Sequence, residues 1–287
     1  MISIFTPTYN RKNLLKRLYQ SLLEQTDKNF EWIIVDDGST DNTETLIAEW
    51  ITENKIKIKY QYQQNAGKHV AFNRGIDLAS GKLYFCVDSD DLLPHNATEV
   101  IRKTYENPLF NKSIGIVALK SDTSGKLLSD NLPNTTSLST IYDLTSKYKS
   151  FGERSIIYRT DILKENRFPV IEGEKFMGEC VLYDHLDKFG QMLLLDKIVT
   201  ICEYQEGGLS NNFFKIIIKN PIGFKIYHKQ RIDLAYSLKD RFGYAVRYNA
   251  FKFMSNDSQY NYKGVHHLIV ALTIPLGFLL KLYYFKK

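Results

Sequence analysis

The 287-residue chain has little of what holds small or secreted proteins together. Its three cysteines, Cys86, Cys180 and Cys202, lie far apart with no CxxC pair. That excludes a disulfide scaffold and a zinc ribbon, and suits a reducing compartment. No GxGxxG follows the first apolar run, which disfavours a dinucleotide-dependent oxidoreductase. A Gly-rich basic loop is missing at the same place, which disfavours a sugar nucleotidyltransferase. The six histidines show no metal-ligand spacing. The apolar stretch 268–280 carries no charge, but it is shorter than the roughly 20 residues that span a bilayer. The start, Met1-Ile-Ser-Ile-Phe-Thr-Pro7, has no basic region, so a secretory leader is not expected.

What is present is enough for a large core. Charged residues at 24% and aromatics at 13% exclude a disordered chain. Acidic residues are scarce at one end. From Asn212 onward there are 13 Lys+Arg against 3 Asp+Glu, a balance of +10. The remaining 25 basic and 29 acidic residues give residues 1–211 a balance of −4. The split suggests two zones, with the basic one suited to nucleic acid, a membrane surface or an anionic acceptor.

The first 120 residues alternate strand and helix patterns. Strands are predicted at Ile2–Pro7, Glu31–Val35, Ile56–Tyr62, Leu83–Val87 and Ile114–Leu119. Leucines 14, 15, 18, 22 and 23 predict a helix between the first two. Asp41 with Glu44 predicts a capping box for a helix to about Glu53. Another helix is expected over His69–Ala79, stopped by Gly81. Residues 120–150 read as a loop or lid. Ser155–Tyr158 reads as a strand, Glu179–Phe189 as a short helix, and Met192–Leu195 and Ile198–Tyr204 as two strands. Helices are expected over Phe213–Met254, while Pro275 and Gly277 weaken 268–280 as a helix. The βαβ order argues for a mostly parallel sheet flanked by helices, with ligands beyond the carboxyl ends of its strands. Thr8-Tyr9-Asn10, Asp36-Asp37 and Asp88-Ser89-Asp90 should then lie along one edge.

Asp88 and Asp90, with Asp91 beside them, follow a buried strand. Carboxylates at i and i+2 can converge on one hard cation and leave positions for phosphate oxygens. The same residues also suit a helix cap or a solvated turn. Asp36-Asp37-Gly38-Ser39 can accept from a uracil N–H or a ribose hydroxyl, and equally reads as a turn and cap. Lys68, after Asn65-Ala66-Gly67, can pair a phosphate or stand as solvated surface.

The combination is more specific than its parts. Thr6-Pro-Thr-Tyr-Asn-Arg11, Val35-Asp-Asp-Gly-Ser-Thr-Asp41, Asn65-Ala-Gly-Lys68 with Asn73-Arg-Gly75, and Val87-Asp-Ser-Asp-Asp-Leu92 occur in this order. In these motifs the chain resembles the family 2 glycosyltransferases, strongly over about residues 1–120, moderately to about Ser210 and weakly beyond. The resemblance implies a GT-A (Rossmann-like) fold, a UDP-sugar donor, Mn²⁺ or Mg²⁺, and inverting transfer to an acceptor hydroxyl. It implies nucleotide contacts from Pro7, Thr8, Tyr9, Asp37, Lys68, Asp88 and Ser89, with Asp88 and Asp90 on the metal. The family draws its base from a Glu-Asp pair at a helix start. The matching stretch holds Glu179 followed by Cys180, so the expected catalytic residue is Glu179, with Glu174 and Asp184 as fallbacks. A thiol is a poor base at neutral pH, being mostly protonated. A non-catalytic nucleotide-sugar-binding or assembly protein is the alternative.

The implied organisation is a catalytic domain over 1–210, with a nucleotide part to about 120 and an acceptor part beyond. A basic helical region covers 211–287. Tyr204–Asn212 resembles a loop that closes over the donor. The basic tail and the 268–280 stretch, flanked by Lys281, Lys286, Lys287, Tyr283 and Tyr284, read as a membrane-surface anchor. The expected place is the cytoplasm, peripheral on the inner face of the cell membrane. The expected acceptor is a bacterial surface polysaccharide or lipid-linked glycan, with no nucleic-acid partner.

Overall fold

A computed structural model of the chain describes residues 1–203 and 213–286. The Tyr204–Asn212 loop lies outside the described residues. The chain forms two compact units, Met1–Arg167 with Phe189–Gln205, and Phe168–Lys188 with Glu206–Lys287.

The first unit contains every strand of the sheet. In chain order its elements are β1 (Ile2–Thr8), α1 (Lys12–Leu23), β2 (Phe30–Asp36), α2 (Thr43–Glu53), β3 (Ile58–Tyr62), α3 (Lys68–Leu78) and β4 (Leu83–Cys86). There follow β5 (Asp91–Leu92), α4 (Ala97–Tyr105), a 3₁₀ turn, β6 (Ser113–Asp122), β7 (Leu138–Ser139), α5 (Ile141–Ser146), β8 (Arg154–Arg159), α6 (Thr160–Glu165) and, after the second unit's first segment, β9 (Gln191–Cys202). The strand order is β3-β2-β1-β4-β8-β6-β9-β5, with β7 on β9. The first four strands are parallel. β8 runs antiparallel to both β4 and β6, and β9 returns parallel to β6.

The apolar runs that predict β1, β2 and β4 are buried because helices cover the sheet. Ile4, Leu15, Leu18, Trp32, Ile34, Phe85 and Ile116 meet in one core. Trp50 of α2 stacks on Tyr19 at 4.2 Å and lies 5.7 Å from Trp32. Gly75 of the Asn73-Arg-Gly75 motif is needed for close approach. A Cβ there would lie 2.4 Å from the Phe5 ring and 2.2 Å from the Tyr84 hydroxyl, so α3 can press onto β1 and β4 only with glycine.

Three expectations are corrected. Asp41 does not form a capping box: Asn42 is the N-cap of α2, without a side-chain cap bond. Asp41 instead accepts from the Lys12 amide at 3.0 Å and from the Thr43 hydroxyl at 2.6 Å. It therefore ties the start of α1 to the start of α2. The two strands expected over 192–204 are one, β9, ending at Cys202. Leu195 pairs with Ala118 and Ile198 with Leu119, so the polar Asp196-Lys197 is absorbed as a bulge. The region 120–150 is only partly loop, since β6 runs to Asp122 and β7 and α5 follow.

The second unit comprises α7 (Cys180–Leu186), α8 (Phe213–Lys219), α9 (Pro221–Leu234), α10 (Leu238–Met254), α11 (His267–Leu272) and α12 (Ile274–Lys286). Residues 168–188, assigned from sequence to the acceptor part of the first domain, group with the C-terminal helices. A buried pair, Asp184 of α7 against Arg231 of α9 at 2.5 and 2.8 Å, is among the bonds that tie this segment to α9. The stretch weakened by Pro275 and Gly277 is helical. Pro275 falls in the first turn of α12, where its missing N–H has no intrahelical partner to lose. Gly277 faces α10 so closely that a Cβ would lie 2.4 Å from the Asn249 Cβ.

Candidate functional site

The connections from β1 to β2 and β3 run one way across the sheet, and β4 joins on the other side of β1. The order reverses between β1 and β4. Chain leaving the carboxyl ends of these two strands opens a crevice there, where open α/β sheets bind ligands. Tyr9-Asn10-Arg11 leaves β1 at this point, and Asp88-Ser89-Asp90 leaves β4.

The walls of the crevice are fixed by hydrogen bonds between loops. The Asp37 amide donates to the Thr8 carbonyl at 2.8 Å, and the Val87 amide to the Phe5 carbonyl at 2.8 Å. Asn10, at φ 52°, accepts from the Thr40 amide at 2.8 Å, and its own amide donates to the Ser39 hydroxyl at 2.8 Å. Asp36 accepts from the Ser39 amide at 2.7 Å.

Asp37 is buried and organises the next loop. Its Oδ1 accepts from Gln63 Nε2 at 2.6 Å and the Ala66 amide at 2.7 Å. Its Oδ2 accepts from the Gly67 amide at 2.9 Å and Asn65 Nδ2 at 3.2 Å. The Asn65-Ala-Gly67 motif is thus the donor set for Asp37. The result is that Lys68, first residue of α3, faces the Asp88 loop.

Pro7, next to the last residue of β1, is partly buried, and Tyr9 is exposed. Thr8 is 2% exposed, and its hydroxyl has no hydrogen-bond partner among the described residues. A buried hydroxyl of this kind is costly unless something supplies a partner.

The acidic loop is met by cations. Lys68 Nζ lies 2.6 Å from Asp88 Oδ1, and Arg11 Nη1 lies 2.9 Å from Asp90 Oδ2 and 3.4 Å from the buried Ser89 hydroxyl. Lys120 of β6 lies 3.1 Å from Asp91 Oδ2. Burial pushes the Asp88 carboxyl up, but Lys68, Lys120 and Arg11 outweigh it and hold it below the ordinary carboxylate range. Asp91 is pushed up by burial and by Asp88, against the pull of Lys120. Lys120 stays charged although buried, because Asp91 and Asp88 raise it. No group of three or more His, Cys, Asp or Glu able to hold a metal occurs among the described residues. The carboxylates of Asp88 and Asp90, half-buried on one strand-end loop, are nevertheless the hard oxygen donors that suit Mg²⁺ or Mn²⁺, so the chemistry fits. Arg11 and Lys120 are the residues sequence reasoning left without a role. For Arg11 the signal was a cation three residues past the end of β1, at the point where the strand order reverses.

The second unit holds Glu179. It is exposed at the start of α7, and Tyr183 Oη donates to it at 3.2 Å. Its neighbours are committed elsewhere. Glu174 accepts from the Ile222 amide at 2.6 Å and the Gly223 amide at 2.8 Å, at the first turn of α9. Burial raises its carboxyl. Asp184 is buried against Arg231. Cys180 lines an apolar cavity of about 140 Å³ with Phe176, Phe224 and Tyr227, and burial lifts its thiol to about 11. Glu179 faces solvent in this segment, as does Glu172.

A sheet of this order, with motif loops at its switch point, defines a GT-A-type α/β protein. The chain belongs to glycosyl transferase family 2, whose model matches residues 3–158. An uncharacterised glycosyltransferase of Rickettsia conorii is 42% identical over 109 residues, which is 38% of this chain and 18% of that protein. A GalNAc(5)-diNAcBac-PP-undecaprenol beta-1,3-glucosyltransferase of Campylobacter jejuni is 28% identical over 191 residues, 65% of this chain and 60% of the other. The chain thus spans less than two thirds of either relative. Among solved structures, S. aureus TarS 1–349 in complex with UDP-GlcNAc superposes with TM-score 0.56 at 17% identity, over 99% of this chain and 91% of that one. At that identity the likeness shows the fold.

Proposed function

We propose that the protein is an inverting glycosyltransferase that moves a sugar from a UDP-sugar to an acceptor hydroxyl. The observation that carries this is the convergence of the Thr8, Asp37, Lys68 and Asp88–Asp90 motifs on one crevice, in a chain of this family. UDP-GlcNAc in the TarS complex supports a nucleotide-sugar donor.

Pro7, Thr8, Tyr9 and Asp37 take the nucleoside, the Thr8 hydroxyl gaining the partner it lacks. Asp88 and Asp90 would hold Mn²⁺ or Mg²⁺, which when bound neutralises charge growing on the departing diphosphate. Ser89 and Lys68 complete the diphosphate contacts. Glu179 is the general base. Its carboxylate takes the acceptor's hydroxyl proton as that oxygen bonds to the anomeric carbon, and the bond from that carbon to the diphosphate oxygen breaks.

The Campylobacter relative acts on an undecaprenol-linked glycan, which supports a lipid-linked acceptor here. No helix among the described residues is long and apolar enough to cross a membrane. The apolar side chains of α11 and α12 are exposed, with Leu272 at 75% and Leu268 at 68%. With Lys281 and Lys286 on the same segment and a +10 balance from Asn212 onward, they suit the surface of an anionic bilayer. These features support the reading of a peripheral protein on the inner face of the cell membrane.

The test is a donor screen with Mn²⁺ that reads released UDP and the mass of the product. Wild type should transfer from one UDP-sugar, and Glu179→Gln should lose about a hundredfold or more in turnover while still binding UDP. Turnover that survives the substitution removes Glu179 as base. Tight UDP binding without turnover on any donor and acceptor pair favours a binding module.

A further inference from the structure

Both carboxylates of the Asp88-Ser-Asp90 motif are already paired by a cation from a different loop. Lys68, at the start of α3, holds Asp88, and Arg11, after β1, holds Asp90. The two cations share a second property. Each side chain is 40% exposed, so each is long, flexible and only partly enclosed. Lys120 differs, since it is largely buried against Asp91. The site therefore has one fixed cation and two that can swing.

We infer that Arg11 and Lys68 are exchangeable counter-ions, which occupy the acidic motif before the nucleotide arrives and turn to its diphosphate afterwards. The inference rests on the proposed metal-assisted use of this site and adds Arg11 to it. Charge balance is the reason. Asp88 and Asp90 carry two negative charges, and Arg11 and Lys68 two positive ones, so the ligand-free crevice is neutral at these four groups. A divalent cation neutralises the two carboxylates by itself. Arg11 and Lys68 are then left with two unmet positive charges, which match the two negative charges of a nucleoside diphosphate-sugar. Guanidinium and ammonium both bind phosphate well, the first with two donors side by side. The crevice is neutral in both states, and the swing of two side chains connects them. Arg11 Nη1 also donates to the Ser89 hydroxyl, at 3.4 Å.

The exchange predicts opposite effects on two ligands, which a merely structural role does not. Removing a swinging cation takes away a competitor for the carboxylates, so bare Mn²⁺ should bind more tightly. It also takes away a diphosphate partner, so UDP should bind more weakly. The experiment uses the full chain as wild type, Arg11→Gln, Lys68→Gln and Asp90→Asn. Free Mn²⁺ is followed by electron paramagnetic resonance without nucleotide, and UDP binding by calorimetry at saturating Mn²⁺. Arg11→Gln and Lys68→Gln should each bind Mn²⁺ about threefold tighter or better, and UDP about tenfold weaker. Unchanged or weaker Mn²⁺ binding in both glutamine variants overturns the exchange, as does unchanged UDP affinity. Mn²⁺ affinity that is the same in wild type and Asp90→Asn overturns the metal reading beneath it, and the exchange with it.

Discussion

A carboxylate sealed from water needs its charge met on every side, and Glu31 of β2 shows how this sheet does it. Ser3 Oγ and the Ser80 amide each donate to Oε1 at 2.7 Å, and Lys59 and Lys57 lie 3.0 and 3.2 Å from Oε2. Burial raises this carboxyl, but the Ser80 amide, Ser3, Lys59 and Lys57 overcome it and bring it down to about 2. The folded value lies below the ordinary 4.5, so the stabilisation is complete above about pH 4.5 and is lost as pH falls from there toward about 2. A shift of that size corresponds to about 3 kcal/mol. Glu31→Gln should therefore lower urea stability at pH 7 by about 2–3 kcal/mol, and the gap to wild type should close between pH 5 and 2. A gap that stays constant over that range would show that the charge is not what matters. None of this was legible in the sequence, where Glu31 reads as the polar edge of an apolar run. The same holds for Asp37: its position at a strand end is legible, but its four donors come from residues 63–67. Arg11 stood inside a motif without a role until β1 and β4 were seen side by side.

At the scale of elements, periodicity served well wherever a segment is buried on both faces. β1, β2, β4 and β6 fall where the apolar runs put them, and α1 follows its leucines. It failed where a long-range partner decides. β9 reads as two strands because Asp196-Lys197 interrupts it, yet pairing with β6 carries the strand through the bulge. α12 reads as a weak helix because Pro275 and Gly277 carry unfavourable propensities. The first turn tolerates the proline, and contact with α10 requires the glycine. That contact also shapes the test of the membrane reading. Removing α12 would expose the buried Asn249, Ala250 and Phe251 of α10, so substitutions on its open face are cleaner. Leu268→Glu with Leu279→Glu should leave the fold intact, since both side chains are more than half exposed, and should cut sedimentation with anionic vesicles about tenfold or more. Equal sedimentation of wild type and variant would remove α11 and α12 as the membrane face.

On the scale of the whole molecule, the +6 total lies in the helical unit, with 15 basic against 9 acidic residues, while the sheet unit balances at 23 of each. The order of strands and motifs in the first 120 residues carried the fold class and the family. The grouping of residues 168–188 with the C-terminal helices did not show, because it rests on long-range contacts such as Asp184 with Arg231, 47 positions apart, and Glu174 with the start of α9. Within that unit Glu174, Asp184 and Cys180 are committed to packing, and Glu179 is the residue proposed as base. The central claim is that the crevice between β1 and β4 binds a uridine diphosphate together with a divalent cation through Asp88 and Asp90. Calorimetric titration of UDP into the protein, with Mn²⁺ and with chelator, tests it most directly. The account predicts binding that Mn²⁺ strengthens about tenfold or more, and that Asp90→Asn renders insensitive to Mn²⁺. UDP binding that is the same with Mn²⁺, with chelator and in Asp90→Asn would contradict it.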